Sequence, residues 1–177
     1  MVGPGTGVAP FRAIVQERAA LAAPGKAVAQ GPPPPPAVDG GTWAPTSPLD
    51  AGERAQLGRS VLFFGCRHEH KDFFYRGEWE RAVAAGALTR VATAFSRDQA
   101  RKQYVQHRIR EARREVVDMI KAGAHVLVAG SANQMPQGVQ EEVEEALEAE
   151  LGVPREQAAA IVRKMQRQGR YVCEAWS

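Results

Sequence analysis

Gly3-Pro4-Gly5-Thr6-Gly7-Val8-Ala9-Pro10-Phe11-Arg12 stands near the head of the chain, and its reading decides the fold. Glycines at alternate positions let a backbone turn sharply and approach a ligand closely. Residues from Val8 to Ala23 then read as a helix. A helix entered through such a turn points its free N–H groups and positive end back at the turn, and that combination binds a pyrophosphate. Thr6 adds a hydroxyl donor beside it. Gly5, Thr6 and Gly7 are therefore candidate ligand contacts. A glycine cluster alone is weak evidence, because ordinary turns also use glycine.

The rest of the chain supplies the context. Val61-Leu62-Phe63-Phe64-Gly65 is a short apolar run ending at glycine, the pattern of a buried parallel strand. Phe73 to Ala85 reads as helix, Leu88 to Phe95 as strand, and Gln99 to Ala122 as helix in two pieces. His125 to Gly130 is a third strand. Pro136 to Leu151 and Pro154 to Gln168 are helices with proline in the favoured first turn, and Arg170 to Trp176 is a last strand. Strands separated by helices require crossovers and a parallel sheet. The expected fold is α/β, a doubly wound, Rossmann-like parallel sheet with helices on both faces. Only Met1 and Val2 precede the glycine turn. The first strand is thus expected to be largely missing, the chain being a fragment or starting at an internal methionine.

At 177 residues the chain is long enough for one domain with a real core. No run of about 18 apolar residues is present, so no membrane-spanning helix is expected. Cys66 and Cys173 are far apart and lack metal-ligand spacing; they read as reduced, mostly buried thiols of a cytoplasmic protein. His68-Glu69-His70 lacks a third ligand and reads as an exposed loop, so no metal site is expected. Residues 24–58 are rich in proline, glycine and alanine, with prolines at every position from 32 to 36. They read as a disordered insertion with polyproline II character.

A second candidate site follows the Leu88–Phe95 strand. Ser96 and Arg97 lie at its C-terminal end, the edge at which such sheets bind ligands. Lys102 and Gln106, in the helix read there, are one turn apart and share a face, with Gln103, Tyr104 and Val105 between them. Two cations and two neutral donors at one spot suit a phosphate monoester. Arg108, Arg110, Arg113 and Arg114 continue the basic run, so a solvated basic face or a nucleic-acid-binding helix is the competing reading. Arg67 also ends a strand at this edge.

The opening turn, the stretches Ala94-Phe95-Ser96-Arg97 and Lys102-Gln103-Tyr104-Val105-Gln106, and the ending Glu174-Ala175-Trp176-Ser177 together resemble the NADPH-binding half of the ferredoxin-reductase-like flavoenzymes. The diflavin reductases are the most similar group. The resemblance implies that Ser96, Arg97, Lys102 and their neighbours hold the 2′-phosphate of NADPH and that Arg67 reaches the cofactor phosphates. It implies that Trp176 stacks on the flavin ring until nicotinamide displaces it. Glu174, where many relatives carry aspartate, would orient the nicotinamide. Ser131, Asn133 and Met135 would line the nicotinamide side.

Ala129 stands where cytochrome P450 reductases have a cysteine, and Gly138 where relatives often have aspartate. With the Glu174-Ala175-Trp176 ending, Ala129 points to the branch that feeds electrons to cytosolic iron–sulfur protein assembly. The expected parent reaction is hydride transfer from NADPH to FAD, followed by electron flow through FMN to an iron–sulfur acceptor protein. The FAD and FMN domains would lie outside this chain, leaving it inactive alone. No nucleic-acid partner is expected.

Overall fold

The computed structural model describes residues 1–22, 42–43 and 57–176. The expected disordered insertion lies outside the described residues, apart from positions 42–43, 57 and 58. Among the described residues six strands form one sheet: β1 (Val2–Pro4), β2 (Thr42–Trp43), β3 (Val61–Cys66), β4 (Arg90–Phe95), β5 (Val126–Ser131) and β6 (Tyr171–Trp176). The order is β2-β4-β3-β1-β5-β6. All pairings are parallel except that of β2 with β4. A short 3-10 turn (Gly5–Val8) leads from β1 into α1 (Ala9–Ala22). The remaining helices among the described residues are α2 (Glu69–Asp72), α3 (Arg76–Ala84), α4 (Val105–Glu111), α5 (Arg113–Lys121), α6 (Met135–Leu151) and α7 (Arg155–Arg167).

The first strand is short but central. Val2 pairs with Phe63 on one side and Val128 on the other. Gly3 and Pro4 pair with Phe64 and Gly65. The Met1 α-amino group donates to the Val61 carbonyl at 2.9 Å, and the Met1 carbonyl accepts from the Phe63 N–H. Burial pushes that amine down to about 5, so it donates as a neutral group at pH 7.

Both faces of the sheet are buried, which explains why β3 is a continuous apolar run. Successive residues of a strand point to opposite faces. Val61 and Phe63 enter a core with Ile109, Val143 and Val162 of α4, α6 and α7. Leu62 and Phe64 enter the opposite core with Phe11, Val15 and Trp79 of α1 and α3. Burying each such side chain contributes roughly 1.5–3 kcal/mol. Gly65 lets α4 approach: a Cβ there would lie 2.8 Å from Val105 Cγ1.

Several boundaries differ from the sequence reading. The helix expected from Gln99 starts only at Val105, with Tyr104 in extended conformation ahead of it. The Gln99 side chain donates to the Phe95 carbonyl, which holds the intervening residues as a loop. Pro154 is the residue before α7 rather than within its first turn, with φ −61° and ψ 151°. Cys66 is half-buried, but Cys173 is exposed on the edge strand, so the expectation of two mostly buried thiols fails for it.

Candidate nucleotide site

Here β1 is the switch point of the sheet: the chain runs through β3 and β4 on one side and returns through β5 and β6 on the other. In open α/β sheets the crevice at such a point, beyond the carboxyl ends of the strands, receives the ligand. Gly5-Thr6-Gly7 lies there. Gly5 has φ +56°, a left-handed conformation that favours glycine, and a Cβ on it would meet nothing within 4 Å. Gly7 serves another purpose. A Cβ on Gly7 would sit 2.0 Å from the Ala129 carbonyl oxygen and 2.8 Å from Gly130 Cα. The turn therefore packs directly on β5, and only a residue without a side chain fits.

The adjacent strand ends carry the cations. Arg67 follows β3 and Arg97 follows β4; both are exposed. The Arg97 N–H donates to the Arg67 carbonyl and the Ser96 N–H to the Cys66 carbonyl, each at 2.9 Å. Among the described residues, no ion pair engages the guanidinium of Arg67 or Arg97 or the ammonium of Lys102. The basic run that follows is different. Arg108 pairs with Glu111 at 2.8 Å and donates to the Thr93 carbonyl at 2.7 Å. Arg110 pairs with Glu142 and Arg113 with Glu150. Arg110 and Arg113 thus tie α4 and α5 to the acidic face of α6, and Arg108 ties α4 to β4.

Lys102, Gln103 and Tyr104 precede α4, so Lys102 and Gln106 do not share a helix face as the sequence reading had it. Tyr104 is exposed; its N–H donates to His107 Nδ1 at 2.9 Å and its ring stacks on the His107 ring at 5.8 Å. Gln103 Oε1 is buried without a hydrogen-bond partner among the described residues. Val105 is 2% exposed, and its side chain belongs to the core. Gln106 lies against α6: its Nε2 is 2.9 Å from the place of a Cβ on Gly138. Any side chain at position 138 would displace that amide.

At the other end of the edge, Glu174 pairs in register with Ala129 and Trp176 with Ser131. Glu174 and Trp176 are two residues apart in β6 and share one face of the sheet. That is the face on which Ala129 packs beneath the turn side of α1. Trp176 is 42% exposed. Asn133 Nδ2 donates to Ser131 Oγ at 2.9 Å, and Met135 Cε lies 2.8 Å from the place of a Cβ on Gly130. From β4 to β6 the edge spans four inter-strand spacings, about 19 Å. Cations stand at one end, amides in the middle, and an acid with an aromatic ring at the other.

Residues 1–141 match the profile of the oxidoreductase NAD-binding domain. The chain belongs to that family. This NAD-binding domain is similar over its whole length to NADPH–cytochrome P450 reductase of Aspergillus niger, at 39% identity and covering 22% of that protein. It is equally similar to NADPH-dependent diflavin oxidoreductase 1 of Danio rerio, at 40% identity and 24% coverage. The human NADPH–cytochrome P450 reductase is 36% identical over the same span. The domain thus spans about a quarter or less of the length of these relatives. The resemblance read from its motifs and the expected doubly wound sheet both hold.

Two contacts of the NAD-binding domain were not visible in its sequence. His68 Nδ1 lies 2.7 Å from Asp98 Oδ1, joining the loops after β3 and β4. Arg12 Nε donates to Glu78 Oε2 at 2.7 Å, tying α1 to α3, and its guanidinium lies 4.8 Å from the Tyr75 ring centroid. Partners 30 and 66 residues apart leave no local signal. A cavity of about 500 Å³ also lies at the opposite, N-terminal edge, lined by Met1, Arg18, Val61, Ile120 and Val126 among others. Two arginines line it among the described residues: Arg18 donates to the carbonyls of Ala87 and Gly58, and Arg59 pairs with Glu115.

Proposed function

We propose that this domain binds NADPH along the carboxyl edge of its sheet and presents the nicotinamide to a flavin. The observation that carries the reading is that Arg67 and Arg97 leave adjacent strand ends with Lys102 on the loop that follows, none in an ion pair among the described residues, on the same sheet edge as a turn whose Gly7 has no room for a side chain. The residues suit the cofactor. Amides of Gly5, Thr6 and Gly7 would hold the pyrophosphate at the N-terminus of α1. Arg97, Ser96, Lys102 and Arg67 would hold the 2′-phosphate, with Tyr104 beside the adenosine. A charge-assisted hydrogen bond contributes about 1.5–3 kcal/mol, so losing one weakens binding roughly tenfold to a hundredfold.

Bound NADPH supplies the hydride; the protein supplies position and electrostatics. Trp176 would cover the acceptor flavin and yield its place to nicotinamide. Stacking contributes only about 0.5–1.5 kcal/mol beyond area burial, which keeps that exchange feasible. Glu174 would orient the carboxamide side and balance charge. FAD would be held mainly by a domain outside these 177 residues, with FMN in another, and the parent reaction would run from NADPH through FAD and FMN to a protein acceptor. We place the acceptor in cytosolic iron–sulfur protein assembly. The similarity to the Danio rerio and Bos taurus diflavin oxidoreductases, at 40% identity each, and the alanine at position 129 support this branch. A cytochrome P450 reductase-like role is the second reading, supported by 39% identity to the Aspergillus niger protein.

The test is retention of the 177-residue chain on immobilised 2′,5′-ADP. Release by NADP⁺ at constant salt is expected. Release by salt alone, with no response to NADP⁺, would refute the reading.

A further inference from the structure

The loops that carry Arg67 and Arg97 are joined one residue further out by a side-chain contact. His68 directs Nδ1 at Asp98 Oδ1, 2.7 Å away. The second carboxylate oxygen of Asp98 accepts the Glu69 N–H at 2.7 Å. His68 is itself fixed, because its N–H donates to Asp72 Oδ2 at 3.0 Å and its carbonyl accepts from Cys66 Sγ at 3.4 Å. The Glu69 carboxylate is held by Arg76 at 3.0 Å. Both oxygens of Asp98 are thereby committed to the β3 loop. The Glu69 N–H, and after it the His68 ring, hold the Asp98 carboxyl below the usual carboxylate range, so it is ionised at neutral pH.

An ionised carboxylate next in sequence to Arg97 is a hazard to a phosphate site. Left loose, it would pair with Arg97 or Arg67 and compete with the ligand. Engaged by His68 and the Glu69 amide, it instead joins the two loops that present the arginines. We propose that His68 and Asp98 form a latch that positions Arg67 and Arg97 for the 2′-phosphate and keeps the Asp98 charge away from them. This rests on the NADPH reading. His68 and Asp98 are positioning residues and touch no reacting atom.

The test is calorimetric titration of the full chain with NADP⁺ and with NAD⁺, comparing wild type with His68→Ala, His68→Asn, Asp98→Asn and, as control, Arg97→Ala. The latch predicts that His68→Ala lowers the NADP⁺ to NAD⁺ affinity ratio by about two- to fivefold, the range of a partly exposed ion pair. Asp98→Asn should lower the ratio as well. His68→Asn, which keeps a donor near the Nδ1 position, should restore most of it. A general loss of folding would move both coenzymes together and leave the ratio unchanged. A ratio that rises in Asp98→Asn would show a simple repulsive charge and overturn the latch. An unchanged ratio in His68→Ala and Asp98→Asn, with a collapsed ratio in Arg97→Ala, overturns the latch alone. No preference for NADP⁺ in the wild type overturns both the latch and the site on which it rests.

Discussion

Replacing Gly7 by alanine puts a methyl group 2.0 Å from the Ala129 carbonyl oxygen, 2.7 Å from its carbon and 2.8 Å from Gly130 Cα. All three atoms are backbone of β5, so no side chain can swing aside. Reaching the 3.4 Å at which ordinary contact begins requires a displacement of about 1.4 Å between the turn and the strand. Overpacking of this kind costs about 1–3 kcal/mol, and a rigid neighbour places it at the upper end. In a domain of this size about 3 kcal/mol lowers Tm by roughly 6–12 °C. With the pyrophosphate on the turn amides, as proposed, the same shift would cost a charge-assisted hydrogen bond and weaken NADP⁺ by about tenfold or more. Gly5→Ala is the contrast. It meets nothing within 4 Å, and its strain is the left-handed φ of +56° alone, about 1–2 kcal/mol. Scanning calorimetry and NADP⁺ titration of both variants check the reasoning. A Gly7→Ala protein that melts with the wild type and binds NADP⁺ equally well would refute the close approach of turn to strand.

Further outcomes follow from the buried groups. Tyr171 Oη is buried with no hydrogen-bond partner among the described residues, so Tyr171→Phe should raise stability by about 1 kcal/mol, read as a higher urea midpoint at unchanged slope. Burial, then Asp72, Asp98 and Glu69, push the Cys66 thiol up to about 12, and burial raises the Tyr171 hydroxyl. Unfolded, these groups lose their protons near about 8.5 and 10, so above pH 8.5 the folded state binds more protons and stability falls as pH rises. Urea midpoints measured between pH 8.5 and 10.5, above the range in which the buried Met1 amine contributes, should decline, and less steeply in Tyr171→Phe; a flat or rising series would contradict this. Iodoacetamide at pH 8 should label exposed Cys173 well before half-buried Cys66, as peptide mapping would show.

What the residues made legible were features with a local cause. The β3 run is apolar at every position because it feeds a core on each face, and the glycine turn announces itself by composition. The start of α4 was not legible. Residues 99–103 are good helix formers, yet the helix begins only at Val105, after Tyr104 in extended conformation, and the Gln99 side chain donates to the Phe95 carbonyl instead. Helix α2 is four residues long and depends on Asp72 and Asp98 contacts around its first turn. Arg110 of α4 and Arg113 of α5 looked like a basic face because their partners, Glu142 and Glu150, lie on α6. At the candidate site the sequence placed Arg67 and Arg97 directly after strands, where the structure has them. It did not separate Val105, a core residue, from its exposed neighbours, nor pair His68 with Asp98.

The central claim is that the strand ends after β3 and β4 distinguish a phosphorylated coenzyme from its plain counterpart. Calorimetric titration of wild type and Arg97→Ala with NADP⁺ and NAD⁺ tests it most directly. The account predicts that wild type favours NADP⁺ and that Arg97→Ala loses about ten- to a hundredfold for NADP⁺ while NAD⁺ hardly changes. Equal affinities in the wild type, or equal losses for both coenzymes in the variant, would contradict it.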